Sequence, residues 1–131
     1  MAIWAKYQPG QEIHGVLLYR RIPNDHAHWV AEDKRPTGYN FRPGKVQQHL
    51  STQLAEDPAG ILADNPGFGL LEIAADTFWR FRLRVTYEPE FRPDHVAVWG
   101  LNGARKDLLR ELADCIQRAW EPGSQALVYP S

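Results

Sequence analysis

An apolar run closes on two arginines in Leu17-Leu18-Tyr19-Arg20-Arg21-Ile22, and a stretch rich in similar chemistry follows at 35–49. That stretch contains Arg35, Tyr39, Asn40, Arg42, Lys45 and His49, broken by two Arg-Pro pairs and by Gly38 and Gly44. The prolines and glycines exclude one long helix or a regular strand, and a solvated linker would not ordinarily carry Tyr39 and Phe41. A guanidinium forks onto phosphate or carboxylate, a phenol stacks on a planar ring, and an imidazole exchanges a proton near neutral pH. Arg20, Arg35, Arg42 and His49 are therefore the candidate ligand-binding residues, with His95 and Tyr39 as candidate acid/base or stacking groups. The competing reading is structural: Arg20 and Arg21 pair with surface carboxylates and His95 caps a strand. No acid/base partner stands at a diagnostic spacing from either candidate.

Other chemistries have weaker signatures. Five histidines are present, but His26-Ala27-His28 lacks the paired spacing of a structural zinc site, and there is no His-Glu-x-x-His; no metal site is expected. The single cysteine, Cys115, lies among apolar residues and reads as a small buried hydrophobe. There is no Gly-x-Ser-x-Gly elbow, no Walker loop and no dinucleotide fingerprint. Pro66-Gly67-Phe68-Gly69 precedes a strand and reads as a tight turn, since a phosphate cradle requires a helix after it.

These residues must be positioned by a small set of elements. Residues 2–8 and 13–22 read as strands about a Pro9-Gly10 turn, the second with a continuous apolar centre. Periodicity is then lost from 24 to about 45, and so long an irregular loop in a compact domain is usually functional or poorly ordered. Residues 47–56 fit a short helix or a strand equally. Asp57-Pro58 marks a helix start, 68–74 a strand, 76–81 a turn or one helical turn, and 83–87 and 95–100 two further strands. Arg80, Arg82 and Arg84 alternate with apolar residues, so a strand there would put them on one face. From an N-cap at Asn102, Leu108, Leu109, Leu112, Ile116, Ala119 and Trp120 recur at helical steps, ending at Glu121-Pro122-Gly123. Residues 124–131 form a tail that docks as an edge strand or frays. The expected architecture is a single α+β domain over 1–131: a mostly antiparallel sheet of about five to six strands with a long C-terminal helix packed on one face.

Fifteen basic and sixteen acidic residues leave a formal charge of −1, so the field of the whole molecule would not steer it to nucleic acid. One cysteine excludes an internal disulfide. With no signal-like leader and no long apolar run, the expectation is a soluble cytoplasmic protein with no membrane partner.

Several short blocks resemble a small bacterial family of unknown function: Leu18-Tyr19-Arg20-Arg21-Ile22-Pro23, Arg35-Pro36-Thr37-Gly38-Tyr39-Asn40-Phe41, His49-Leu50-Ser51, Asn65-Pro66-Gly67-Phe68-Gly69-Leu70 and Asp94-His95-Val96-Ala97-Val98-Trp99-Gly100. That resemblance implies no activity, and the chain departs from it at Gly38, where the family carries a hydroxyl. A weaker likeness is to compact ADP-ribosyltransferase-like toxins. There a first strand ends in an arginine that holds a dinucleotide, as Leu17-Leu18-Tyr19-Arg20 would, and Tyr39 would take the ring-stacking part. The catalytic acid of that family has no clear counterpart, Glu88 and Glu90 standing in no matching motif. Two functions follow as expectations. One is a toxin-like transferase or other domain binding a nucleotide or dinucleotide. The other is a non-catalytic domain whose loop and exposed Trp29 and Trp79 bind a protein partner.

Overall fold

The computed structural model describes residues 2–45 and 47–130. Met1, Val46 in the irregular loop, and Ser131 of the tail lie outside the described residues. Seven strands form one sheet: β1 (Leu17–Ile22), β4 (His49–Gln53), β5 (Gly69–Ala74), β6 (Arg84–Tyr87), β7 (His95–Trp99), β8 (Arg118–Trp120) and β9 (Leu127–Tyr129). Their spatial order is β6-β7-β4-β1-β5-β8-β9, and every pairing is antiparallel. A separate hairpin, β2 (Trp29–Val30) with β3 (Arg35–Pro36), and a 3-10 helix at Gly38–Phe41 occupy the stretch expected to be irregular.

The sheet has two unlike faces because its side chains alternate. One face carries Leu18, Ile22, Leu50, Leu71, Ile73, Val85, Val96 and Val98, all buried in the main core. Phe78 of α2 (Ala75–Arg80) and Leu109 and Leu112 of α3 (Lys106–Asp114) close over it, with Phe41 from the 3-10 helix. On the opposite face, α1 (Pro58–Asp64) sets Ile61 against Tyr19, Leu70 and Trp120, a second and smaller core. Farther along that face, at β4 and β7, the residues are His49, Ser51, Gln53, His95 and Trp99.

α1 starts where Asp57-Pro58 places it. Asp57 is the N-cap, its carboxylate accepts from the Ala59 N–H at 2.9 Å, and Pro58 takes the first helical position. Asp57→Ala should cost about 1 kcal/mol, readable as a shift in the urea midpoint without a change in slope.

Four expectations are corrected. The long C-terminal helix is absent: α3 has nine residues, starts after Arg105 and not at Asn102, and ends at Asp114. The chain then turns into β8, where Ala119 pairs with Leu71 and Trp120 with Leu70, and the Gln117 N–H donates to the Glu72 carbonyl. An uncovered β5 edge would leave backbone groups without partners, and satisfying them outweighs a helical apolar pattern. The same extension, with β9 beyond it, makes the sheet larger than five or six strands. Residues 2–8 form no strand but a 3-10 helix at Ile3–Lys6; pairing to β6 falls instead at 10–13, where Gly10 and Ile13 donate to Tyr87 and Val85. Nor do Arg80, Arg82 and Arg84 share a strand face, because Arg80 ends α2 and Arg82 has a φ of 62° before β6 begins.

Candidate anion-binding cleft

β4 and β1 are neighbours in the sheet, yet they share a single register pair, Tyr19 with Gln53. Beyond it the strands part, and Arg20 fills the gap. Its Nε donates to the Asn40 carbonyl at 2.6 Å and its Nη1 to the Ser51 carbonyl at 2.8 Å. The guanidinium thus stands in for a missing rung of the ladder and satisfies a β4 carbonyl. Burial, and then the charge of Arg21, pull its pKa down to about 10, which leaves it cationic at neutral pH. Among the described residues no carboxylate pairs with it.

Arg20 lines an open cleft of about 860 Å³ with Arg21, Ser51, Arg92, His95 and Trp99. A smaller hollow of about 180 Å³ on the Tyr19 and Phe68 side shares Arg20, Arg21, Ser51 and Arg92 with it. Arg21 is exposed, bonds the Asn65 side chain at 2.8 Å and lies 5.4 Å over the Phe68 ring. Arg92 pairs with Asp94 at 3.1 Å and reaches the Gln53 side chain at 3.3 Å.

The cleft also has an aromatic wall. Trp99 is fixed by its indole N–H on Thr86 Oγ1 at 2.8 Å, with the ring of His49 5.0 Å away. Phe91, 57 % exposed on the loop between β6 and β7, lies 5.2 Å from His49 and 4.7 Å from His95.

His95 is held in one tautomer. Its Nδ1 lies 3.0 Å from the Glu88 carbonyl, which can only accept, so Nδ1 carries the proton. Nε2 is then free to accept from the Ser51 hydroxyl at 3.1 Å. Burial lowers the pKa of His95 against the opposing effect of the Glu88 carbonyl, and burial likewise lowers that of His49 against Glu88 and Glu90. Both rings are therefore neutral at pH 7.

Of the six residues singled out in the sequence, the structure brings three together: Arg20, His49 and His95. Tyr39 and Arg42 line a different, smaller hollow of about 230 Å³ with Lys106 and Arg110, on the α3 side of the sheet. The reason is a close approach: a Cβ on Gly38 would sit 2.8 Å from the Leu109 carbonyl carbon, so the 3-10 helix is pressed onto α3 and away from the cleft. Arg35 makes a surface ion pair with Asp114 at 3.3 Å. Trp29 is core and Trp79 is partly buried with its indole N–H on the Ile13 carbonyl, so the expected exposed tryptophan pair does not exist.

Sequence reasoning missed Ser51, Phe91, Arg92 and Trp99. The signal was in residues 47–56: once these are read as a strand, His49, Ser51 and Gln53 fall on one face. Among the described residues no group of three or more metal-ligating side chains is close enough to hold an ion, and no helix is long and apolar enough to cross a membrane. The chain matches no family model, no curated protein and no solved structure.

Proposed function

We propose that this protein binds a nucleotide-type anionic ligand in the cleft between β1, β4 and β7. Phosphate oxygens meet Arg20, Arg21 and Arg92, and the base lies against Trp99, His49 and Phe91. The observation that carries this reading is Arg20. A largely buried guanidinium with carbonyl partners but no carboxylate retains a full positive charge beside an open cleft, and a cationic group of that kind favours an anion. The cleft volume falls within the range of about 300–1,000 Å³ usual for small-molecule sites. The other sizeable cleft, about 710 Å³, is lined by Glu56, Asp57, Asp64 and Asp94 and would repel such a ligand.

The likeness of Leu17-Leu18-Tyr19-Arg20 to the arginine-ended strand of ADP-ribosyltransferase-like toxins supports a dinucleotide as one such ligand. Transfer from it would need a carboxylate near the ribose, and Glu88 and Glu90, whose charges act on His49, are the candidates. With its lone cysteine and no disulfide, the chain suits the reducing cytoplasm.

Thermal denaturation with ADP, ADP-ribose, NAD and adenosine tests the reading, beside Arg21→Ala and Arg92→Ala. A phosphorylated ligand at a hundred times its dissociation constant should add about 2.7 kcal/mol, several degrees for a domain of this size. Adenosine should give little, and each variant should weaken the shift. Equal stabilisation by adenosine, or shifts untouched in both variants, would count against the arginines.

A further inference from the structure

Ser51, His95 and Arg20 form a constellation that anion binding alone does not require. Ser51 is partly exposed at the floor of the cleft, its hydroxyl donating to His95 Nε2 at 3.1 Å, while His95 Nδ1–H is anchored on the Glu88 carbonyl at 3.0 Å. That is a hydroxyl nucleophile, a base and an orienting acceptor within hydrogen-bond reach of one another. The Arg20 guanidinium is tied to the carbonyl of Ser51 itself, so an oxyanion held by Arg20 lies beside the residue that bears the hydroxyl.

We propose that Ser51 and His95 form a nucleophile–base pair that cleaves a phosphate ester of the ligand, an inference that rests on the binding reading above. The cationic lining favours phosphoryl over acyl chemistry: charge on the transferring group is met by arginines.

In the first step the Ser51 Oγ–P bond forms as its proton passes to His95 Nε2. The P–O bond to the leaving group breaks, and that oxygen departs with the electron pair and takes the proton from His95. In the second, water gives a proton to Nε2 while its oxygen bonds phosphorus. Ser51 Oγ leaves with the pair and recovers the proton. The sum is ester plus water giving alcohol plus phosphate, with enzyme unchanged. The neutral His95 ring at pH 7 is the form this sequence needs.

A fluorophosphonate probe tests the pair directly, since an activated hydroxyl displaces fluoride and keeps the phosphonyl group. The expected result is one phosphonyl adduct, mapped by peptide mass spectrometry to Ser51, absent in Ser51→Ala. Its formation should be slowed by about 10²–10⁴ in His95→Gln, with both variants checked for an unchanged melting profile. Hydrolysis of p-nitrophenyl phosphate should fall in parallel. An unlabelled wild-type protein, labelling scattered over other hydroxyls, or a rate indifferent to His95→Gln in a folded variant overturns the proposal. The probe needs no nucleotide contact, so the two readings fail separately. Nucleotide binding with an inert Ser51 removes only the dyad; a labelled Ser51 with no nucleotide binding removes only the ligand.

Discussion

Arg20→Ala is expected to abolish phosphate-dependent ligand binding and to destabilise the fold by about 3 kcal/mol, since it strips charged hydrogen bonds from two backbone carbonyls. The carbonyls are those of Asn40 and Ser51, and among the described residues neither has another side-chain donor. Arg20→Lys should recover part of the stability and little of the binding. An ammonium is a point charge on a flexible stem, whereas the guanidinium fork meets two carbonyls from a fixed plane and still presents N–H groups to the cleft. Urea denaturation gives the first quantity and titration calorimetry with ADP the second. A stable Arg20→Ala protein that binds ADP normally would show that neither role belongs to this side chain.

The second large effect lies one residue back in the chain. Tyr19 donates its hydroxyl to Glu72 Oε2 at 2.8 Å, and Arg118 donates Nε to Glu72 Oε1 at 2.8 Å. Glu72 is 2 % exposed. Burial pushes its carboxyl up, but the hydrogen bonds from Arg118 and Tyr19 outweigh that and hold it below the usual glutamate range. Tyr19 in turn is pushed up to about 12, first by burial and then by Glu72. Arg118→Ala leaves a buried carboxylate without its cation, which typically costs about 3–5 kcal/mol. Arg118 is itself partly exposed, so water entering its place puts the expected loss near 3 kcal/mol. Because β1, β5 and β8 are tied at this point, the loss should also loosen β1 and the Arg20 it carries.

The pH dependence distinguishes this loss from simple lost packing. A depressed carboxyl stabilises the native state above the ordinary glutamate pKa of about 4.3, and that contribution fades as pH falls through the lower folded value. In Arg118→Ala the native carboxyl is instead raised by burial and protonates readily. The stability gap between wild type and variant should therefore be widest at neutral pH, start to shrink above the ordinary glutamate pKa of about 4.3 as the variant's carboxyl protonates, and go on shrinking below it as the wild-type carboxyl protonates. A gap that does not change with pH would assign the loss to packing. Glu72→Gln, which keeps the shape, should cost less than Arg118→Ala.

Much of this arrangement was legible where the signal was local. Asp57-Pro58 fixes α1 because cap and first turn are made by adjacent residues, and the apolar run at 68–74 becomes β5. Arg20 and His95 stood out as polar groups at the ends of apolar strands, and both line the cleft. What depended on distant partners was not legible. Residues 116–120 carry helical spacing, yet the β5 edge draws 118–120 into the sheet. Residues 47–56 have no decisive local preference until β7 supplies the ladder, and Ser51 is placed by that pairing alone. Tyr39 and Arg42 have suitable chemistry, but Gly38 lets their segment lie against α3 instead.

On the proposed function, ligand phosphate meets Arg20 in the cleft between β1, β4 and β7. An ADP titration followed by ¹H–¹⁵N correlation spectra, including arginine side-chain and indole signals, tests that contact. Shifts should concentrate at Arg20, Arg21, Ser51, Arg92, His95 and the Trp99 indole, and leave Tyr39, Arg42 and Arg110 in place. Shifts gathered around Tyr39 and Arg42, or none at millimolar ADP, would contradict it.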